Sequence, residues 1–458
     1  MSPAIDRLAS ESLLFENGIA VSSWTLPTHA SILTGLYPRS HGARATKDAP
    51  GAIRQRKNRP VTALKPAVST LAEVLTANGY ETAAFFSNYW WLRPIFGIHQ
   101  GFETFFSKGP TAKVEGPNSP LALYRRKFRK ERAARLRQAK ATDPGPADAE
   151  MLRPTHRAPY IRAEVITDLA LEWLNEERAT KRPFFLALNY LDAHAPYAPP
   201  PPFDRQFVPE DFGGDIEAMV AQVDLLRRRA YAPISFGFSQ NPQLRSLVQA
   251  RYWGEIAYLD SEVGRLLDAL REDGRLDQTI VVLVSDHGEH LFERDKLGHG
   301  QTLYQEEVRI PLLIRLPRAL AAERRTELVS QVDIMPTVLD LLGIKVEDEL
   351  EGRSLVKPAS AEVFAEFVGW SGPGRALRGL FEGDWVYLES GKGGRELFDL
   401  RTDPEQKRNL AASQPEREAA MATKVDAWEA GTGAFGKTVA AELSQEDLQR
   451  LRSLGYLQ

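Results

Sequence analysis

The 458-residue sequence contains no cysteine. Disulfide frameworks, thiolate metal sites and thiol nucleophiles are thereby excluded, while the compartment stays open because disulfides are optional even where they can form. No run of about 18 apolar residues occurs, the minimum for a membrane-spanning helix. Met1 is followed by Ser-Pro-Ala-Ile-Asp-Arg and not by a charged start and an apolar stretch, so the chain as written shows neither a signal peptide nor a span. A large charge of one sign is missing too. The formal balance of -3 argues against a general nucleic-acid binder. What remains is 43% hydrophobic and 26% charged, a composition that folds and buries a core. The length suits one large α/β domain with a smaller appendage, since single cores stop growing near about 250–300 residues.

Periodicity places the elements. Ile5, Leu8, Ala9, Leu13 and Leu14 follow helical spacing, so a helix is expected over residues 5–15, stopped by Asn17-Gly18. Residues 70–78 predict a second helix, from Leu71, Val74 and Leu75, closed by Gly79 and followed by a strand over 81–86. A helix to about residue 177, a strand over 184–190 and a Pro-rich loop over 196–202 come next, then a helix over 256–270 and strands over 279–285 and 311–315. The run Ile280-Val-Val-Leu-Val284 does not alternate, which suits a strand buried on both faces of a parallel sheet between helices. The reading is a doubly wound α/β domain over residues 1–345, followed at 346–458 by a subdomain with a small antiparallel sheet. Its expected strands are 362–367, 378–381 and 385–389; a polar helical end from about residue 416 closes on Leu451, Leu454, Tyr456 and Leu457. Nine basic residues against the single acid Glu131 between Arg125 and Lys140 mark a basic insertion over about 121–157, read as a solvated face.

Ligands of parallel α/β sheets bind beyond the carboxyl ends of the strands. The first polar segment to inspect is residues 23–35, where Pro27 serves as an early helical residue and Gly35 as terminator. Thr25 then stands at a helix N-terminus, either as a plain cap or where unpaired N–H groups and the dipole favour an anion and a developing alkoxide. Asp286-His287-Gly288-Glu289 follows the apolar strand and offers a carboxylate and an imidazole to one cation, or else a polar turn. His194, in Asp192-Ala-His-Ala-Pro-Tyr197, and His299, between Gly298 and Gly300, follow similar logic. Of the eight histidines, His29, His194, His287, His290 and His299 all fall in these segments, which makes chance placement less attractive.

Those residues carry a resemblance that runs over nearly the whole chain. Residues 25–35 resemble the sulfatase signature, in which Cys or Ser, a spacer, Pro, a small hydroxyl residue and Arg lead into Leu-Thr-Gly. Residues 2–8, 70–80, Gly101-Phe102, 194–197, 285–289, 298–306, 333–337, 396–400, Asp403-Pro404 and Asn409-Leu410 resemble the same family, within the alkaline phosphatase superfamily. The resemblance implies an alkaline phosphatase-like, mostly parallel sheet flanked by helices. It implies a hydrolase or transferase of phosphate, phosphonate or sulfate esters that needs a divalent metal ion (Ca, Mn, Zn or Mg). Asp286 and His287 match metal ligands, with Thr25 as a third. His194 matches the histidine that contacts the anionic ester, and His299 stands where many sulfatases have a lysine with that duty. His29 replaces the signature's arginine and is assigned to substrate.

Thr25 stands where sulfatases carry the residue matured to formylglycine and where phosphodiesterase relatives use threonine. Formylglycine is made from Cys or Ser, so none is expected here, and Thr25 should attack directly as a metal-activated alkoxide. That tilts the reading toward phosphoryl chemistry, with Thr25, His194 and His299 catalytic. Histidine in place of Arg and of Lys makes the site less cationic and favours a singly charged phosphodiester or phosphonate ester on a small molecule, lipid or glycan. Relatives begin with an apolar strand ending in metal-binding aspartates ahead of the segment resembling residues 2–8, and this sequence starts after it. A start-assignment artefact or a fragment is the expectation. The alternative is a catalytically impaired fragment or pseudoenzyme that binds an anionic ligand or partner.

Overall fold

The computed structural model describes residues 1–45, 61–108, 161–177, 182–213, 216, 219, 241–316, 320–346, 349–357, 362–368 and 376–433. The basic insertion at 121–157 and the terminal cluster of Leu451, Leu454, Tyr456 and Leu457 lie outside the described residues.

Pro at the first position opens α1 (Pro3–Ser10), which ends at Glu11. The helix expected through residue 15 therefore stops early, and β1 (Leu13–Ile19) takes over. Strands flank β1 on both sides, and their ladders with the buried Leu13 and Phe15 outweigh the local helical spacing. Asn17-Gly18 is no stop either. The register shifts there, and a Cβ on Gly18 would lie 2.6 Å from the Ile310 carbonyl oxygen, so only glycine admits the neighbouring strand.

After β1 come α2 (Thr25–Thr34) and α3 (Leu71–Ala77), the latter fixed by a capping box between Thr70 and Glu73, a device contributing about 1 kcal/mol. β2 (Glu81–Phe86), β3 (Thr104–Phe106), α4 (Ala163–Glu172) and β4 (Phe184–Asn189) follow. The long α5 (Pro242–Glu272) leads to β5 (Val281–Val284), β6 (Arg309–Arg315), β7 (Glu323–Ser330) and α6 (Ile334–Leu342). One sheet has the order β5-β6-β1-β7 and another the parallel order β3-β2-β4. Two expectations change here. β6 runs antiparallel to both neighbours, because no crossover helix links it to β5: two residue pairs of ribbon (His290–Leu291 with Leu297–Gly298) and a four-residue helix fill the connection. The apolar strands β4 and β5 are half-buried rather than enclosed, apart from Asn189. Each is paired along one edge only among the described residues, while both pack into the same two layers. Phe184, Leu186, Leu188, Val281 and Leu283 lie against one cluster; Phe185, Val282 and Val284 lie against the other.

The C-terminal strands β8 (Glu362–Val368), β9 (Ala376–Glu382), β10 (Trp385–Ser390) and β11 (Arg395–Asp399) make an antiparallel sheet in chain order, covered by α7 (Pro415–Gly431). It bears on the larger domain close to the entry of α2: Glu366 N–H donates to the Val21 carbonyl at 2.8 Å, and the buried Glu366 carboxylate pairs with Arg39 and Arg44 at 2.7 and 2.9 Å. No described helix is long and apolar enough to cross a membrane.

Candidate active site

Thr25 is the first residue of α2. The capping position belongs to Trp24, whose extended backbone turns the chain in without a side-chain cap, so Thr25 does not serve as the cap. Gly35 closes the helix at φ 66°, where the left-handed conformation requires glycine. Thr25 is 3% exposed. Its Oγ accepts a hydrogen bond from Asn88 Nδ2 at 3.3 Å. One turn along α2, His29 donates from Nδ1 to the Thr25 carbonyl at 2.9 Å.

Asn88 and Asn189, which the sequence reading passed over, complete this side. Asn88 follows β2, and both its backbone and its side-chain amide are held. Its N–H donates to Asn189 Oδ1 at 3.0 Å, and its own Oδ1 accepts from Trp91 N–H at 3.1 Å, which leaves the NH₂ group for Thr25. Asn189, the last residue of β4, turns its Nδ2 to His29 Nε2 at 3.3 Å. The signal was available: both are polar residues at the end of an apolar run.

His29 also faces Asp286, Nδ1 to Oδ2 at 3.7 Å, and Asp286 Oδ2 lies 3.4 Å from His287 Nε2. The His287 ring lies 4.1 Å from that of His299, which lies 4.9 Å from that of His194. The structure thus gathers all the predicted residues, Thr25, His29, His194, Asp286, His287 and His299, with the two asparagines. His290 falls elsewhere: it is fully buried, against Glu307 at 3.0 Å and Thr302 at 3.2 Å. Gln331, fully buried, ties the two halves together. Its Oε1 accepts from Val21 N–H at 3.1 Å, and its Nε2 donates to the carbonyls of Ser285 and Asp286 at 3.0 and 2.7 Å.

Electrostatics separate the histidines. Burial pushes His29 and His287 below the usual histidine range, against the opposing pull of Asp286. Burial acts the same way on His299, but the charge of Glu289 and its hydrogen bonds to His299 Nδ1, 3.2 Å from each carboxylate oxygen, outweigh it and raise the imidazole. Burial also pushes Asp286 up, and the imidazoles of His287, His29 and His299 together bring it below the ordinary carboxylate value. No lysine or arginine is among the side chains so gathered.

Asp286 and His287 are chemically suited to a divalent ion. His287 donates Nδ1–H to the Gly288 carbonyl at 2.9 Å, the usual anchoring of a ligand imidazole, which leaves Nε2 beside the carboxylate. Among the described residues no three His, Asp or Glu groups are placed to hold one ion. Four or more ligands are normal for such an ion, and Asp286 and His287 offer two donors of that kind.

Residues 1–344 match a family model described as Sulfatase. The chain is 24% identical over 438 residues to an arylsulfatase of Clostridium perfringens, covering 91% of this chain and 86% of that protein. It is 26% identical over 471 residues to the multifunctional alkaline phosphatase superfamily protein PehA of Trinickia caryophylli, covering 90% and 85%. Its fold resembles the crystal structure of a phosphonate monoester hydrolase of Agrobacterium radiobacter, with a TM-score of 0.66, 21% identity and coverage of 94% and 91% of the two chains.

Proposed function

Because this chain belongs to the sulfatase family of ester hydrolases, we propose that it is a threonine-dependent member that cleaves a phosphodiester or phosphonate ester by direct attack of Thr25. The observation that carries this reading is the placement of Thr25 Oγ within the first turn of α2, against the Asn88 amide donor, whose oxygen is held by Trp91 N–H and whose backbone N–H is held by Asn189. A helix N-terminus and an N–H donor both favour an oxygen that gains negative charge. Threonine at this position also removes formylglycine from the chemistry.

In the first half-reaction the ionised Thr25 Oγ, its proton already released to solvent, forms the Oγ–P bond as the bond from phosphorus to the leaving oxygen breaks. His299, whose proton the Glu289 carboxylate holds more firmly than a free imidazole would, gives that proton to the leaving oxygen. In the second, water attacks the phosphothreonine, His299 takes a proton from the water, and the Oγ–P bond breaks. His29 and His194 contact the non-bridging oxygens. Asp286 and His287 would hold a divalent ion, and that ion would supply a Lewis acid favouring the ionised hydroxyl. The gathered histidines and amides, without lysine or arginine, suit one negative charge better than two, hence a diester or phosphonate ester on a small molecule, lipid or glycan. The competing reading, a protein that binds an anionic ester without cleaving it, draws on the two-donor metal set.

The test is peptide mass mapping after acid quench of the protein incubated with a divalent ion and bis(p-nitrophenyl) phosphate, p-nitrophenyl phenylphosphonate or p-nitrophenyl sulfate. A phosphorus adduct on Thr25 is expected with the first two. Turnover without an adduct, undiminished in Thr25→Val, overturns the assignment. Binding without turnover selects the competing reading.

A further inference from the structure

We propose that the part of α5 preceding residue 256 is a clamp on the segment carrying His194, with Glu255, Arg251 and Arg162 as positioning residues for that imidazole. The inference rests on the reading of His194 as an ester-contacting group and deepens it.

Residues 190–203 follow β4 without entering another strand or α-helix, so their buried backbone groups need partners from elsewhere. Ala198 is gripped at both of its polar groups. Its N–H donates to Glu255 Oε1 at 2.6 Å, and its carbonyl accepts from Arg162 Nη2 at 2.9 Å. Its neighbour Tyr197 is held as well, the carbonyl accepting from Arg251 Nε at 2.7 Å. Gly254 brings the helix against the same segment: a Cβ there would lie 2.4 Å from the Phe203 carbonyl oxygen and 2.9 Å from Pro199 Cγ. Residues 251, 254, 255 and 258 share one helical face. Tyr258 extends it, its hydroxyl accepting from Glu164 N–H at 3.2 Å and so tying in the start of α4, next to Arg162.

Packing alone does not account for this arrangement. Glu255 and Asp192 are 0% exposed and Arg251 is 8% exposed. Apolar residues would cover a loop at lower desolvation cost, whereas directed hydrogen bonds to two consecutive residues fix where the backbone lies. The charges balance as two carboxyls, Asp192 and Glu255, against two guanidiniums, Arg162 and Arg251. Burial pushes both carboxyls up, Asp192 to about 7 and Glu255 well above its usual value, against the opposing pull of the guanidiniums. The clamp reaches His194 through a short path. His194 N–H closes a turn onto the Leu191 carbonyl at 3.0 Å, and Ala195 and Tyr197 are buried on either side of Pro196.

The experiment compares the full chain with Glu255→Ala, Glu255→Gln and Arg251→Met, alone and combined with His194→Ala. Two quantities are read: amide hydrogen exchange over residues 190–203, and kcat and KM for bis(p-nitrophenyl) phosphate. Glu255→Ala and Arg251→Met are expected to speed exchange over 190–203 by about 10-fold with peptides of β1 and β8 unchanged. They should lower kcat about 10- to 100-fold with thermal stability of the remaining fold retained. Glu255→Gln, which keeps the acceptor for Ala198 and imitates the protonated carboxyl, restores most of both. In the His194→Ala background the kcat penalty should shrink to within about 2-fold, the mark of two residues acting as a unit. Unchanged exchange over 190–203, or an equal penalty in both backgrounds, overturns the clamp. A wild-type chain without turnover refutes the ester-hydrolase reading, and exchange over 190–203 then decides the clamp by itself.

Discussion

Thr25→Val is the substitution that separates a nucleophile from a structural hydroxyl. Valine keeps the branched shape of threonine, so the 3% exposed site stays filled and only Oγ is replaced. Among the described residues the one side-chain hydrogen bond lost is that from Asn88 at 3.3 Å, a long contact whose net worth is about 0.5–1.5 kcal/mol. Even if the Asn88 NH₂ then has no partner, the penalty stays within about 1–3 kcal/mol, and α2 loses no cap because Trp24 holds that position. Turnover should respond on another scale, falling at least about 10⁴-fold, as removal of a covalent nucleophile does. Thr25→Ser, which restores the hydroxyl, should recover part of it. The assay pairs urea unfolding with release of p-nitrophenol from the phosphate, phosphonate and sulfate esters, each with a divalent ion present. Equal turnover of wild type and Thr25→Val refutes the reasoning outright. A loss of activity that merely follows the fraction unfolded would do the same.

Asn88→Ala removes the donor to Thr25 Oγ and is expected to lower kcat about 10²- to 10³-fold, with KM little changed; an unaltered kcat would show that the contact is incidental. For Glu289→Gln the readout is the pH profile. His299 has its pKa raised above 6.5 in the folded protein, so the stability its pair with Glu289 contributes is fully present below 6.5 and is lost, with the imidazolium, as pH rises through the folded value. Without the carboxylate charge the alkaline limb of kcat should move to lower pH, and a limb that stays in place excludes His299 as the acid. Gly288→Ala would set a Cβ 2.2 Å from the Glu306 carbonyl oxygen. A destabilisation of about 1–3 kcal/mol in urea unfolding is expected, with turnover reduced because Asp286 and His287 adjoin the displaced backbone.

Much of this site was legible because its groups sit in short local signatures. Thr25, Gly35, Asp286 and His287 each follow from a strand or helix end that composition marks clearly. Asn88 and Asn189 obey the same rule, but an asparagine at a strand end is so common in turns that only the contacts with Thr25 and His29 set these two apart. The fold was less transparent where pairing overrides local pattern. Leu13 to Phe15 continue a helical spacing and yet lie between two strands. The charged run of β7, Glu-Arg-Arg-Thr-Glu, hides a strand that pairs with β1 along one edge. In α5 the apolar stripe of Leu244, Leu247 and Val248 breaks off ahead of residue 256, where the helix buries Arg251, Gly254 and Glu255 and directs polar side chains at a loop.

The half-buried strands β4 and β5 bear on how the protein behaves in a tube. Neither Phe-Phe-Leu-Ala-Leu-Asn nor Val-Val-Leu-Val contains a lysine, a proline or any charge, the means by which sheets usually turn away a foreign strand. Short, uncharged, β-prone segments with one open edge are templates for intermolecular pairing. Among the described residues these two edges, ten residues in all, are where intermolecular pairing is expected, and additives that block backbone pairing should preserve the protein better than changes in salt.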